Sequence, residues 1–352
     1  MSRFLSQKFQ NLEAYVPGEQ PKDQKYIKLN TNESPFAPSP KIKENIDGVA
    51  IDKLRLYCDT DASKVRQGIA KFYNVDIKNV LICNGSDESL SFCFSAFCDS
   101  KKGIAFADVT YGLYKILGAY YNLDCEIIPL KEDFTIDVND YLNKDKNIII
   151  ANPNAPTGIF LPLSEIEKIL KSNPDNIVII DEAYIDFGGE SAVKLIKNYD
   201  NLIVIQTFSK SRSLAGARLG FIIANESLIE DLNKIRCSIN PYNINALSQI
   251  AGEFAINDVD YFKGNAEKII NTRANTKKAL EDLGFEVLNS STNFLFAKYK
   301  DFSGEYFYKG LKEKGILVRY FSADRTKDYI RITIGTDDDM SAFIKEIKEL
   351  IK

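Results

Sequence analysis

Between residues 79 and 225 the chain alternates short, β-rich apolar runs with turns and longer mixed segments, and this rhythm limits the fold more than any other feature. The runs are NVLIC (79–83), GIAFA (103–107), CEIIPL (125–130), NIIIAN (147–152), NIVIID (176–181), NLIVIQTF (201–208) and LGFIIAN (219–225). Several are apolar at consecutive rather than alternate positions, as strands covered on both sheet faces must be. Such strands need helices on each side, so the pattern is that of a mostly parallel α/β sheet. Within the mixed segments, Ser164 is placed to cap a helix with Glu167 at its third position. Ile166, Ile169 and Leu170 then line one side of that helix.

The rhythm changes after residue 225. The region to about 282 reads as largely helical, and the strand-like runs GFEVLNS, TNFLFAKY, GILVRYF and DYIRITIG follow it. The last segment, DDDMSAFIKEIKELIK, puts Met340, Phe343, Ile344, Ile347 and Ile351 on one helical face behind an acidic first turn. At 352 residues and 45% hydrophobic, the chain can fill two cores. The expected division is an N-terminal arm and part of a small domain (1–45), a large α/β domain with a seven-stranded, mostly parallel sheet (46–260), and a smaller α+β domain (261–352).

Charge and composition remove several function classes. The 45 basic and 49 acidic residues give a net charge of −4, and no basic block stands apart from nearby acids, so nucleic acid is not an expected partner. There is no histidine, and the six cysteines lack CxxC spacing. That removes the usual imidazole base and the usual ligands of a zinc site, so no metal is expected. The first residues hold no apolar signal core and no apolar run approaches 18 residues, so a cytoplasmic protein without membrane contact is expected.

In an open parallel sheet, ligands bind beyond the carboxyl ends of the strands. The residues just after the apolar runs are NGSDES (84–89), DVTYGLY (108–114), NPNAPTG (152–158), DEAYIDF (181–187) and TFSKSRS (207–213). Backbone N–H groups of Gly85, Ser86 and Asp87 at a helix start would seat an anion, although an ordinary capped turn reads the same way. Asp181 ends a buried strand, where a carboxylate is costly unless it meets a cation or proton donor such as a pyridinium nitrogen; capping the next segment is the other reading. Tyr184 is near enough to reach an adjacent ring substituent. Lys210, with Ser209 before it and Arg218 beyond the turn, can lose its proton near neutral pH and attack a carbonyl; taken alone, a solvated surface charge is the other reading. Together these strand ends describe a pocket for a phosphorylated pyridine aldehyde.

With the further motifs YVPGEQP, IKLNTNESPFAPSP, LRLYCD, LAGARLG, STNFLF, GILVRY and YIRITIGT, the chain resembles the fold-type I, pyridoxal-phosphate-dependent aminotransferases from residue 15 to 336. Within them it resembles the histidinol-phosphate aminotransferase family. The resemblance implies that Lys210 carries pyridoxal 5'-phosphate and moves the substrate's proton, that Asp181 keeps the ring nitrogen protonated, and that Tyr184 bonds the ring oxygen. It further implies that Gly85, Ser86, Asp87, Ser209 and Arg218 form the phosphate cup, with Tyr111 stacked on the ring. Tyr57 resembles the tyrosine that reaches the phosphate from a second subunit, which implies a homodimer with shared sites.

For substrates, the resemblance implies histidinol phosphate and glutamate or 2-oxoglutarate, in histidine biosynthesis. Arg331 looks like the arginine that clamps the glutamate carboxylate, and Arg319 and Tyr15 look like phosphate-side contacts. The chain departs from the commoner pattern at Ala155, where many relatives carry an asparagine that supports the ring oxygen. Tyr184 alone, Asn154 or a water is left for that duty. Aromatic amino acid transamination and threonine-phosphate decarboxylation on a similar fold are the other activities the same motifs allow.

Overall fold

The computed structural model of the chain describes residues 3–46 and 48–352; residues 1, 2 and 47, which fall in the expected arm and at the start of the expected large domain, lie outside it. The strands in chain order are β1 (Ile27–Leu29), β2 (Val80–Cys83), β3 (Ile104–Ala107), β4 (Cys125–Ile128), β5 (Asn147–Ala151), β6 (Val178–Asp181), β7 (Leu202–Thr207) and β8 (Gly220–Ala224). They continue with β9 (Phe285–Val287), β10 (Phe294–Tyr299), β11 (Ile316–Tyr320) and β12 (Tyr329–Thr333).

Seven strands form one sheet in the order β2-β8-β7-β6-β5-β3-β4. All neighbours run parallel except that β8 is antiparallel to both β2 and β7. The consecutive apolar positions are explained by two dry faces. On β5, Ile148 and Ile150 enter one core while Ile149 and Ala151 enter the other; on β7, Leu202 and Val204 oppose Ile203 and Ile205 in the same way. Successive side chains of a strand point to opposite faces, so both parities must be apolar.

The second sheet has the order β1-β11-β12-β10-β9. Its edge strand β1 comes from the N-terminal arm and pairs parallel with β11, Ile27 opposite Ile316 and Leu29 opposite Val318. The arm is thereby part of the small-sheet layer rather than a loose tail. The final helix, Asp337–Leu350, starts at a capping box in which Thr336 accepts from the Asp339 N–H and the Asp339 side chain accepts from the Thr336 N–H. Met340, Phe343 and Ile347 are buried, and Ile344 and Ile351 pack beside them on the same core. A division at 260/261 would fall in the first turn of the continuous helix Val259–Asp282. No helix among the described residues is long and apolar enough to cross a membrane.

The expected cap at Ser164 is not what the structure shows. The helix is Leu163–Ser172, its N-cap is Pro162, and Ser164 lies inside the first turn with no capping bond from the N-cap side chain. Proline holds φ near the helical value, and its carbonyl accepts from the N–H groups of Glu165 and Ile166, so the start moves toward the proline. Glu167 accepts from the Tyr199 hydroxyl at 2.7 Å instead of closing a box. The apolar side of Ile166, Ile169 and Leu170 is buried as expected.

The helix Gly85–Phe97 follows β2 and passes close to β8. A Cβ built on Gly220 would stand 2.5 Å from the Gly85 carbonyl carbon and 2.6 Å from the Ser86 nitrogen, both backbone atoms. The start of that helix is therefore fixed against the sheet by the missing side chain at 220. Gly220→Ala is expected to cost about 1–3 kcal/mol of stability, the usual range for overpacking, read as a lowered Tm of the purified chain. An unchanged Tm would show that the helix start can move aside.

Candidate active site

Asp181 is the last residue of β6 and is 4% exposed. The Tyr114 hydroxyl donates to its carboxylate at 2.7 Å, and the Ala183 N–H donates at 3.3 Å. Burial raises the Asp181 carboxyl to about 6, against the lowering effect of those two hydrogen bonds. An acid in this state gains from a cationic or N–H partner placed on its open side.

Lys210 lies three residues past the end of the adjacent strand β7. Its ammonium donates to the Thr31 carbonyl at 3.1 Å and sits 5.7 Å from the centre of the Tyr184 ring. Burial lowers its pKa from 10.5 to about 8, and nearby Arg331 and Arg218 add to the lowering, opposed by Glu33 and Asp87. A lysine with that proton affinity is partly neutral near physiological pH and so is available as a nucleophile.

The anion seat assembles at the start of the helix Gly85–Phe97. Its N-cap, Asn84, makes no side-chain capping bond, which leaves first-turn N–H donors open. Gly85 has a φ of +80°, and a Cβ there would stand 2.6 Å from an Arg218 guanidinium nitrogen. Arg218 reaches the Asp87 carboxylate at 3.4 Å, and the same carboxylate accepts from the Tyr111 hydroxyl at 3.0 Å. Ser209 is buried beside Thr207, their hydroxyl oxygens 3.0 Å apart.

Three successive residues after β1 each touch a different member of the site. The Asn30 carbonyl accepts from Arg331 at 3.0 Å, the Thr31 carbonyl accepts from Lys210, and the Asn32 amide donates to the Tyr184 hydroxyl at 2.9 Å. Arg331 lies over the Phe294 and Phe321 rings, and burial lowers its pKa. Its Nε, Asn30 Oδ1, Thr31 Oγ1 and Asn293 Oδ1 are buried polar atoms without a protein partner, and Arg331, Asn30 and Thr31 lie on this side of the site. Polar groups in that condition are commonly completed by water or ligand.

The remaining expected residues divide. Tyr15 meets Tyr111 edge-on at 5.9 Å, and Arg319 donates to the Val16 and Pro17 carbonyls, which ties the arm beside the site. Tyr57 is 83% exposed and stacks on Tyr242 at 4.4 Å; among the described residues no hydrogen bond joins it to this site. Asn154 is buried, and both of its amide protons are taken, by the Val109 carbonyl at 2.9 Å and the Thr157 hydroxyl at 3.0 Å. Its oxygen accepts from Thr110. Tyr184, by contrast, accepts from Asn32 and has no acceptor for its own proton among the described residues. Of the two side chains that could support a ring oxygen, Tyr184 holds the free donor. Sequence reasoning missed Tyr114, although it stands in the quoted DVTYGLY, and gave no role to Asn30, Thr31 or Asn32 in the quoted IKLNTNES.

A lowered lysine, a strand-end carboxylate and an uncapped helix start at the carboxyl ends of parallel strands are the parts a fold-type I pyridoxal-phosphate enzyme needs, and comparison with known proteins shows that class. The family model "Aminotransferase class I and II" matches residues 24–347, and the chain belongs to that family. Within it, the chain stands among the histidinol-phosphate aminotransferases: it is 55% identical to the histidinol-phosphate aminotransferase of Brachyspira hyodysenteriae over the whole of both chains. The crystal structure of histidinol-phosphate aminotransferase from Clostridium acetobutylicum matches with a TM-score of 0.85 and 26% identity, over 92% of this chain and 98% of that one. That from Sinorhizobium meliloti in complex with pyridoxal-5'-phosphate matches with a TM-score of 0.85 at 23% identity, over 93% and 91%.

The residues present fit pyridoxal phosphate, the cofactor of this enzyme. Gly85 and Gly220 keep the helix start free of side chains, its open N–H groups and Arg218 suit a phosphate, Asp181 suits a ring N–H, and Lys210 suits an aldehyde. Because the neutral amine is the attacking form, attachment of cofactor to the apoprotein is expected to quicken as pH rises through about 8. Stopped-flow absorbance against pH measures this. A midpoint near the usual lysine value of 10.5 would mean that Lys210 is solvated rather than buried.

Proposed function

We propose that the protein transfers the amino group of L-histidinol phosphate to 2-oxoglutarate, giving 3-(imidazol-4-yl)-2-oxopropyl phosphate and L-glutamate, in histidine biosynthesis. The observation that carries the substrate assignment is a cross-strand pair: Arg319 on β11 lies directly opposite Arg331 on β12. Like charges directly opposite in a sheet repel, and an anion between or beside them relieves the repulsion. Both substrates bring one, a phosphate in the first and an α-carboxylate in the second.

Pyridoxal phosphate supplies an aldehyde for the substrate amine and a ring that withdraws electron density from Cα. Around it, Asp181 holds the proton on the ring nitrogen, with Tyr114 fixing the carboxylate. Tyr184 donates to the ring oxygen, and Tyr111 covers a ring face. Ser209, Arg218 and the N–H groups of Gly85, Ser86 and Asp87 hold the phosphate. Lys210 would take the proton from the substrate Cα and deliver it to the carbon that the cofactor's aldehyde contributes, on the other side of the nitrogen. Arg331 clamps the glutamate carboxylate through its planar donors, and Arg319 with Tyr15 receives the phosphate of histidinol phosphate.

A homodimer with shared sites completes this reading. Leu54, Leu56, Tyr57 and Tyr242 are large apolar side chains left exposed, with Tyr57 stacked on Tyr242, and grouped exposure of this kind commonly marks an interface. Tyr57 would reach the partner's cofactor phosphate. Mixing Tyr57→Phe chains with Lys210→Ala chains is expected to recover activity, because one site of each mixed dimer carries both native residues. Full activity of a sedimenting monomer would refute it.

The substrate assignment is tested with histidinol phosphate, phenylalanine and threonine phosphate, following each half-reaction by cofactor absorbance. Histidinol phosphate is expected to be strongly preferred. Arg319→Ala is expected to lower its kcat/KM by about one to two powers of ten, as loss of a charge-assisted contact does, and to lower that of phenylalanine much less. Equal losses would place the phosphate elsewhere. A wild-type preference for phenylalanine would make the enzyme an aromatic aminotransferase, and carbon dioxide release from threonine phosphate would make it a decarboxylase.

A further inference from the structure

We infer that Asn32 is a positioning residue that fixes the direction of the Tyr184 hydroxyl, so that its proton is presented to the cofactor's ring oxygen rather than to the protein. This rests on the pyridoxal-phosphate reading of the site and adds to it a residue of the N-terminal arm.

The geometry leaves little freedom. Asn32 is 1% exposed and every polar group it carries is matched. Its backbone N–H donates to Thr333 Oγ1 at 2.9 Å, its carbonyl accepts from the Asn293 amide at 3.0 Å, its Oδ1 accepts from the Thr333 hydroxyl at 3.0 Å, and its Nδ2 donates to Tyr184 Oη at 2.9 Å. The Thr333 hydroxyl decides which end of the amide faces Tyr184. With the amide reversed, Thr333 would receive two N–H groups and its own proton would have no acceptor among the described residues. In the orientation seen, the Thr333 hydroxyl has its acceptor and Tyr184 is left as a donor without a protein acceptor among the described residues.

The backbone supports the same assignment. Asn32 has a φ of 56°, a conformation that asparagine and aspartate tolerate better than most residues. Thr333 stands two residues from Arg331 on β12, so both side chains lie on one face of the strand. The element that offers Arg331 to the substrate thus also locks the amide that orients Tyr184. A phenol with no such neighbour would rotate its proton among several directions, whereas this one is held in one state before any ligand arrives.

The test reads the bound cofactor rather than turnover. A donated hydrogen bond stabilises the ionised ring oxygen, so turning the Tyr184 proton away raises the pH midpoint of the holoenzyme's visible absorbance. Asn32→Asp keeps size and the left-handed backbone but replaces the donor by an acceptor, which draws the Tyr184 proton to itself. The midpoint is expected to rise by about one pH unit, the size of one charge-assisted bond. An added carboxylate also acts through its charge, as do Asp181, Asp87, Arg331 and Lys210, which face Tyr184 and remain in every variant.

The same substitution in a Tyr184→Phe background isolates the hydroxyl, and there the shift is expected to shrink to less than half. Thr333→Val, of nearly the same shape, is expected to move the midpoint upward by a smaller amount, and not at all in Tyr184→Phe. Equal shifts in both backgrounds, or an unmoved midpoint in Asn32→Asp or Thr333→Val, would overturn the inference. A wild-type protein that takes up no cofactor absorbance would instead overturn the cofactor reading, and the inference with it.

Discussion

The structure depends on partly or wholly withdrawing two ionisable side chains from water at the ends of adjacent parallel strands. Asp181 and Lys210 are each pushed toward their neutral forms by burial, the acid upward to about 6 and the amine downward to about 8. Left unanswered, both would weigh against folding. The same burial suits one to a ring proton and the other to acting as an amine, the roles proposed for them. A sheet dry on both faces makes this possible, because β6 and β7 are anchored by apolar residues alternating into two cores and cannot slip to let solvent reach their ends.

The N-terminal arm connects that centre to the substrate-facing sheet. β1 is an edge strand of the small sheet, and the three residues after it touch Arg331, Lys210 and Tyr184 in turn. Since β11 and β12 carry Arg319 and Arg331 in register, a displacement of β1 against β11 would disturb the arginine pair and the lysine together. Arg319 also holds the Val16 and Pro17 carbonyls, so the arm and the cationic pair stabilise one another. Each site residue is thus held by elements far apart in the chain, which suits a reaction that exchanges two differently charged substrates in one pocket.

The parts legible in the sequence were those set by local pattern. Seven apolar runs, several of them apolar at consecutive positions, became the seven strands of the large sheet, and Lys210, Asp181 and the NGSDES turn were singled out because ligands gather at strand ends. What escaped depended on long-range partners. β1 has three residues, too few for a periodic signal, and the value of Asn32 lies in Thr333, 301 positions away. Tyr114 matters because a helix after β3 brings its hydroxyl to a carboxylate on β6. Ser164 failed as a cap because the neighbouring Pro162 began the helix first. The sequence left Tyr184, Asn154 or a water for the ring oxygen, and only the fold shows that the Asn154 amide protons go to Val109 and Thr157.

The most direct measurement is the site of covalent attachment. Borohydride reduction of the cofactor-loaded protein, followed by peptide mass analysis, is expected to place a single pyridoxyl group on Lys210, in the peptide containing TFSKSR. A label on any other lysine, or spread over several exposed lysines with Lys210 unmodified, would contradict the assignment of the Lys210 amine as the group around which the site is built.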